Sequence, residues 1–304
     1  MSHQHQHSYP AVTGRLWFAL IVTFTVFVVE IIGAALTSSL AVVVDLGHVL
    51  TDLAGLVMAL IAAKLAAKPT TASRTWGWTR AEVIAAACQA MVLIGVGTYA
   101  VVEAVRRLTD PPAIDGRGLL FVGVVGLAGN IASLVVLSGA RDKNLNLKAA
   151  FLEVLNDALG SLAVIVSAIV VSTTGWFAAD AIASLVIAAL IVPRAIMILK
   201  SAGRILMEFS PKGLDLEEVR THLLSLPHVM DVHDVHASTV GTGLPVFSAH
   251  IVLPKDCFED GHSIEVLRDA ETCLSEHHQV ALLHTTLQLE PEGYSHRHEE
   301  VLHA

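Results

Sequence analysis

The chain has 304 residues, 54% of them hydrophobic and only 15% charged, against about 25% charged in an average soluble domain. That imbalance excludes a disordered chain and a coiled coil, and a net charge of −9 without clustered Lys and Arg excludes binding to a phosphate backbone. The apolar residues fill the first two-thirds and the last third reads as water-soluble, so a membrane α-helical bundle followed by a hydrophilic domain is expected.

After a polar tail (residues 1–14), six stretches reach the roughly 20 apolar residues that a bilayer core requires of a helix. They cover residues 16–36, 40–65, 82–108, 119–137, 147–171 and 177–199. The first has no small-residue cleavage site and carries Glu30, so it is expected to be a retained helix and not a signal peptide. Orientation follows from Lys and Arg in the short loops. Lys64, Lys68, Arg74 and Arg80 follow the second stretch, Arg141, Lys143 and Lys148 follow the fourth, and none follows the first or fifth. Six crossings then leave both termini in the cytoplasm of a cell-membrane protein. Arg106, Arg107 and Arg117, flanking Asp110-Pro111-Pro112, run against this pattern.

The six-helix transmembrane domain is expected to span residues 15–209. Pro211 and Gly213 are expected to end the sixth helix. Residues 215–226 form an amphipathic helix with Leu216, Val219, Leu223 and Leu226 on one face. Residues 230–236 and 246–253 read as strands around the turn Gly241-Thr242-Gly243, a hairpin. Ser263 is placed to cap a helix running to about residue 278, and residues 285–289 alternate as a last strand. The order α-β-β-α-β over residues 210–292 indicates a small α+β sandwich, one sheet with two helices on a single face. Residues 293–304 form a polar tail expected to be disordered. Cys88, Cys257 and Cys273 include no CxxC pair, so they are expected to be reduced thiols outside redox and zinc-knuckle chemistry.

An ionisable side chain inside a membrane helix costs about 2.5–3.5 kcal/mol on insertion scales, so each marks a candidate function. Asp45, His48 and Asp52 lie at i, i+3 and i+7, one helix face; Glu153 and Asp157 lie at i and i+4, near Asn156. His48, Asp52, Glu153 and Asp157 can therefore close a four-ligand site between two helices, with donors and a coordination number that suit Zn2+. Of 16 histidines, His48 alone falls in a predicted membrane helix. Asp180 and Glu30 stay open between a functional role and interhelical hydrogen bonding, and Asn130 reads as interhelical glue. Gly95, Gly97, Gly123, Gly126 and Gly129 let helices approach closely.

With Asp52, Glu153 and Asp157 ionised and His48 neutral, the empty site carries −3 and a divalent ion brings it to −1. Uncompensated charge of that size is prohibitive in a low dielectric, so protons replace the absent metal and metal displaces protons. A site open alternately to each side exchanges a metal ion for protons, and Asp45, one turn away, can hold or relay one. There is no HExxH, GxSxG or P-loop lysine motif, so neither enzymatic turnover nor nucleotide hydrolysis is expected and gradients drive the cycle.

Several segments together resemble the cation diffusion facilitator family, in its bacterial zinc/cobalt/cadmium-resistance branch. They are Ser38-Ser39-Leu40-Ala41 with Asp45 and His48-x-x-x-Asp52; Arg80-Ala81-Glu82; Asn146-Leu147-Lys148-Ala149-Ala150-Phe151 with Asp157; Asp180-Ala181-Ile182-Ala183-Ser184; and His233-Asp234-Val235-His236. The resemblance implies six transmembrane helices, a cytoplasmic ferredoxin-like domain similar to a metallochaperone, and a homodimer that exports divalent metal against protons. It implies a transport site at His48, Asp52, Glu153 and Asp157. Many zinc transporters of this family have His where Glu153 stands; a carboxylate is a harder donor, so Zn2+ stays the first expectation while Co2+, Cd2+, Fe2+ and Mn2+ are less sharply excluded.

In the cytoplasmic domain the resemblance implies ligands at His233, His250 and Glu290, with His236 and His262 as weaker candidates. Gln288 stands where some members have a ligand His. Metal bound there is expected to draw two such domains together, and pairing of the Arg74/Arg80 loop with Glu208 to couple them to the helices. The family's site between the second and third helices is expected to be absent, because residues 64–79 hold no His, Asp, Glu or Cys. Residues 139–148 likewise lack the His-rich loop of many members. His3, His5, His7, His296 and His298 in the tails suit weak metal capture. A membrane-bound metal sensor without flux is the alternative function; no nucleic acid or nucleotide partner is expected.

Overall fold

The computed structural model describes residues 9–66, 68–138, 145–241, 243–276, 278 and 280–294. The tail histidines, Arg141 and Lys143 lie outside the described residues, with the expectations attached to them. Six long helices come first: α1 (Tyr9–Thr37), α2 (Leu40–Ala66), α3 (Arg80–Thr109), α4 (Gly116–Ser138), α5 (Leu145–Thr174) and α6 (Ala178–Leu206). The order α7 (Leu216–Leu224), β1 (Asp231–Gly241), β2 (Leu244–Leu253), α8 (Cys257–Asp260), α9 (His262–Glu276) and β3 (His284–Pro291) follows. Two compact units result. One comprises residues up to Met58 with Ala86–Leu199, the other Ala59–Ala85 with Lys200 onward.

The first unit is a membrane-spanning helical bundle. Helices α3 to α6 each carry, within their described residues, an apolar stretch long enough to cross a bilayer; in α1 that stretch is the shorter Ile21–Thr37. Its polarity is inverted relative to a soluble protein. Phe24, Leu50, Met91, Phe121 and Leu162 are exposed, whereas Glu30, Asp45, His48, Asn130 and Asp180 are buried. An apolar solvent demands this arrangement, since lipid offers polar groups no partner. Helix α4 packs on α5 and α1. Asn130 donates to Ser161 Oγ across α4 and α5 (3.2 Å). A Cβ at Gly126 would come within 2.9 Å of the same hydroxyl, whereas one at Gly95 would meet nothing within 4 Å among the described residues.

Helix α2 is anchored at its N-terminus. Ser38, in the link from α1, adopts φ 56°, and its carbonyl accepts from Arg107 Nη1 (2.8 Å). Ser39 caps the helix, its hydroxyl oxygen accepting the Val42 amide (3.2 Å). Asp180, from the first turn of α6, is fully buried. Its carboxylate accepts the Leu40 amide (2.6 Å) and the Ser39 hydroxyl (2.5 Å). Negative charge at unsatisfied helix N–H groups is the favourable polarity. Asp180 is thus an interhelical anchor, and Arg107 serves the same junction.

The second unit is α+β. Its sheet has the order β1-β2-β3, with β1 antiparallel and β3 parallel to β2. Val219 and Leu223 of α7 and Val266, Ala270 and Leu274 of α9 pack on Val232, Phe247, Ala249, Ile251 and Leu253. Both helices therefore cover one face, and by the period of two Ser248, His250 and Val252 lie on the other. Asp215 caps α7, accepting the Glu217 amide (3.0 Å). The α2–α3 loop belongs to this unit. Arg74 stacks over Trp78 at 4.7 Å, Trp76 meets the His284 ring edge-on at 4.8 Å, and Arg80 Nη2 pairs with Glu208 Oε1 at 2.6 Å.

Four local expectations are corrected. Helix α6 ends at Leu206, ahead of Pro211, because the chain turns through Glu208 at φ 58°. There the Phe209 amide donates to the Arg204 carbonyl (2.9 Å) and the Glu208 amide to that of Ile205 (3.2 Å), a Schellman closure. Strand β1 runs on to Gly241, sustained by pairing with β2 through register shifts after His233 and Thr239. The four-residue α8 is too short to show a period. Ser263 lies inside α9, not at its cap, because Asp260 accepts the His262 amide (3.0 Å) and starts the helix earlier.

Candidate metal-binding site

Three of the four residues expected at mid-membrane converge. One donor atom each from His48 and Asp52 of α2 and Asp157 of α5 lie within 4.8 Å of one another. His48 Nε2 is 3.4 Å from Asp52 Oδ2, and its Nδ1 is 3.4 Å from Asp157 Oδ1. The imidazole thus has a carboxylate on each side. Asp157 Oδ1 is buried with no hydrogen-bond partner among the described residues, a costly state for a carboxylate oxygen. Imidazole nitrogen with carboxylate oxygens suits Zn2+ and its neighbours in the first transition row.

Glu153 is turned to another partner. Its Oε1 accepts from Arg194 Nη2 of α6 at 2.8 Å, while its carboxyl remains in hydrogen-bonding contact with Asp52. Gln89 of α3 reaches Asp52 Oδ1 at 3.5 Å. Arg194 is the residue that sequence reading passed over. The signal was available, because an arginine inside an apolar span is as costly as an acid and needs a partner.

Asp45 lies outside the three-residue cluster, on the same face of α2. It is buried and shares a hydrogen bond with Glu30 of α1. A Cβ at Gly160 of α5 would come 3.1 Å from Asp45 Oδ1, so a hydrogen at that position is what lets α5 close on α2. A small cavity lined by Asp45, His48, Asn156, Gly160, Ile187 and Arg194 adjoins the cluster.

A second cluster occupies the open face of the sheet. His233 and His250 are register partners, with ring centroids 5.2 Å apart. His250 Nδ1 is 2.8 Å and His233 Nε2 3.4 Å from the buried Glu290 carboxylate. The three form a group able to hold an ion. Gln288, in register with His250, donates to Glu290 Oε1 (2.7 Å). The two weaker candidates are engaged elsewhere. His236 hydrogen-bonds Asp234 (2.8 Å), which holds the Asp234 carboxyl below its usual range. His262 pairs with Asp260 (2.7 Å) and stacks on His228 at 4.9 Å.

Known proteins match this architecture along its length. The family model for the cation efflux transmembrane domain matches residues 16–207, and that for the cation efflux protein cytoplasmic domain residues 211–292. The metal cation efflux system protein CzcD of Cupriavidus metallidurans is 36% identical over 94% of this chain and 89% of its own length. Zinc transporter ZitB of Escherichia coli is 36% identical over 95% of this chain and 93% of its own. The cadmium, cobalt and zinc/H(+)-K(+) antiporter of Bacillus subtilis is 33% identical over 96% and 93%. With both domains matched and relatives aligned nearly end to end, the chain belongs to the cation diffusion facilitator family, in its CzcD/ZitB branch.

Proposed function

We propose that the protein exports divalent metal ions, Zn2+ foremost, in exchange for protons, crossing the cell membrane six times and working as a homodimer. The observation that carries this is the meeting of His48, Asp52 and Asp157 on two adjacent apolar helices, with the buried Asp157 Oδ1 lacking a hydrogen-bond partner among the described residues. The relatives named as zinc and cadmium, cobalt and zinc transporters support the ion class. Thiolate-free N/O ligation admits Co2+ and Cd2+ beside Zn2+.

Charge balance supplies the coupling. Asp52, Glu153 and Asp157 contribute −3 when ionised and Arg194 contributes +1, leaving −2 for one divalent cation to neutralise. Exchange of that cation for protons keeps the buried charge nearly constant through the cycle, which low dielectric rewards. Asp45, one turn along α2, and Glu30 of α1 beside it are placed to hold or pass a proton. Packing of the α2–α3 loop on the C-terminal domain through Trp76 and His284 supports both lying on one side of the membrane. With six crossings that side also receives the N-terminus. Metal at His233, His250 and Glu290 then acts between the cytoplasmic domains of the dimer.

Metal uptake into inside-out vesicles with an imposed pH gradient tests the reading. Zn2+ accumulation that rises with an acid interior and vanishes in Asp157→Ala is expected. Uptake indifferent to the gradient would remove proton exchange, and no uptake at all would return the protein to a sensing role.

A further inference from the structure

The helical side of the α+β unit gathers a third set of donors. His222, in the last turn of α7, Cys273, near the end of α9, and His278, just beyond α9, each offer an atom within 4.8 Å of the other two. The two imidazole centroids are 5.0 Å apart. Cys273 is a free thiol, 5% exposed. His222 Nδ1 is buried with no hydrogen-bond partner among the described residues. The three come from segments that meet only through the fold, so neither CxxC spacing nor helical periodicity announces them.

We propose that His222, Cys273 and His278 form a metal site for a borderline-soft divalent cation such as Zn2+, Co2+ or Cd2+, bound through two imidazole nitrogens and one thiolate. Ligand atoms around a tetrahedral zinc ion lie roughly 3.3–3.8 Å apart, given bonds of about 2.0–2.1 Å to nitrogen and 2.3 Å to sulfur. Small side-chain rotations therefore close the set. A groove lined by His222, Ser225, Leu226, Asp269, Thr272 and Cys273 opens beside it, so the fourth position is open to water. The thiolate separates this site from the other two. His48, Asp52 and Asp157, like His233, His250 and Glu290, offer only nitrogen and oxygen. Sulfur favours Zn2+ and Cd2+ over Mg2+ and Mn2+. The site also lies on the helix-covered side of the sheet, whereas His233 and His250 lie on the open face. An ion there ties α7 to the end of α9 and to the segment leading into β3.

Cobalt titration of the full-length protein in detergent tests this, because only thiolate ligation gives a sulfur-to-cobalt charge-transfer band in the near ultraviolet. The wild type is expected to develop that band, saturating at one Co2+ per chain and bleached by added Zn2+. Cys273→Ser should abolish it, and His222→Ala should weaken Co2+ binding at the band by 10-fold or more. Cys257→Ser and Cys88→Ser should leave it intact. A wild-type protein that binds Co2+ without the band overturns the proposal, with no variant needed. A band that survives Cys273→Ser overturns it equally. Loss of transport in Asp157→Ala leaves this readout untouched, so the two readings fail separately.

Discussion

Glu153 of α5 faces Arg194 of α6 across 2.8 Å, so one carboxylate of the expected ligand set is held by a fixed cation inside the membrane. The guanidinium removes one unit of repulsion between Glu153 and Asp52, whose carboxyls touch. Removing either partner leaves the other charge half-buried and unpaired, which costs more than removing both. Arg194→Gln is therefore expected to lower the transport rate at least 10-fold, and Glu153→Gln less. The double variant should recover part of the loss, with a coupling energy of about 1–3 kcal/mol in a double-mutant cycle. Additive losses would show that the pair acts only as two separate groups.

His48 supplies the only nitrogen donor of the transmembrane cluster, with an acid on either side. His48→Ala is expected to weaken Zn2+ binding by more than the 10–100-fold typical of losing even an outer-shell partner. His48→Asp makes an all-oxygen set and should narrow the preference for Zn2+ over Mn2+. Calorimetry on purified protein with Zn2+, Co2+, Cd2+ and Mn2+ reads both effects.

Much of this was legible in the sequence, and what was not has physical reasons. The spacing Asp45, His48, Asp52 and the pair Glu153, Asp157 placed donors on two helix faces, and the structure brings three of them together. Periodicity says which face a residue takes but not which of two partners it prefers, so the turn of Glu153 toward Arg194 was hidden. The His233, His250 and Glu290 group was reached through family resemblance, and its strands were already visible as alternation. Helix ends were the least legible. Glu208 closes α6 in a left-handed conformation that its residue type does not advertise, and Asp260 starts α9 from outside the helix. Tertiary clusters such as His222, Cys273 and His278 carry no local pattern at all.

Asp180 meets the N-terminus of α2 through the Leu40 amide and the Ser39 hydroxyl. Both bonds end on a buried carboxylate, and hydrogen bonds to charged groups contribute about 1.5–3 kcal/mol each. Asp180→Ala is expected to destabilise the bundle by roughly 2–4 kcal/mol in thermal unfolding followed in detergent. Asp180→Asn keeps one acceptor and should cost less. Because the anchor sets the position of the helix bearing His48 and Asp52, transport rate should fall in both, in the same order as stability. Rate loss without stability loss would point instead to a direct part in ion movement.

The Asp260–His262 pair gives a pH signature outside the membrane. The hydrogen bond that the His262 ring donates to Asp260 raises the His262 pKa, and the His262 amide and ring lower that of Asp260. A raised imidazole stabilises below its ordinary value and loses that effect as pH climbs through the raised one. A depressed carboxyl stabilises above its ordinary value and loses the effect as pH falls through the depressed one. The pair is therefore fully formed between the ordinary carboxylate and imidazole ranges. In an NMR titration of metal-free protein, His262 should titrate above an unperturbed imidazole, and Asp260→Asn should return it. An unshifted His262 in the wild type would show that the contact does not form in solution.

Glu208 does two opposing things. Its backbone takes φ 58° at the position after α6 where glycine is favoured, a conformation that costs an L-residue about 1–2 kcal/mol. Its side chain pairs with Arg80 at 2.6 Å, and exposed pairs contribute about 0–1 kcal/mol. The strain therefore outweighs the contact, and stability alone does not account for a glutamate there. Glu208→Gly should leave the melting temperature unchanged or slightly raised, while Arg80→Ala lowers it little or not at all. If the pair links the loop before α3 to the end of α6 during the cycle, both variants should slow transport by a similar factor despite these stabilities. Unaltered transport in both would reduce the contact to a surface ion pair.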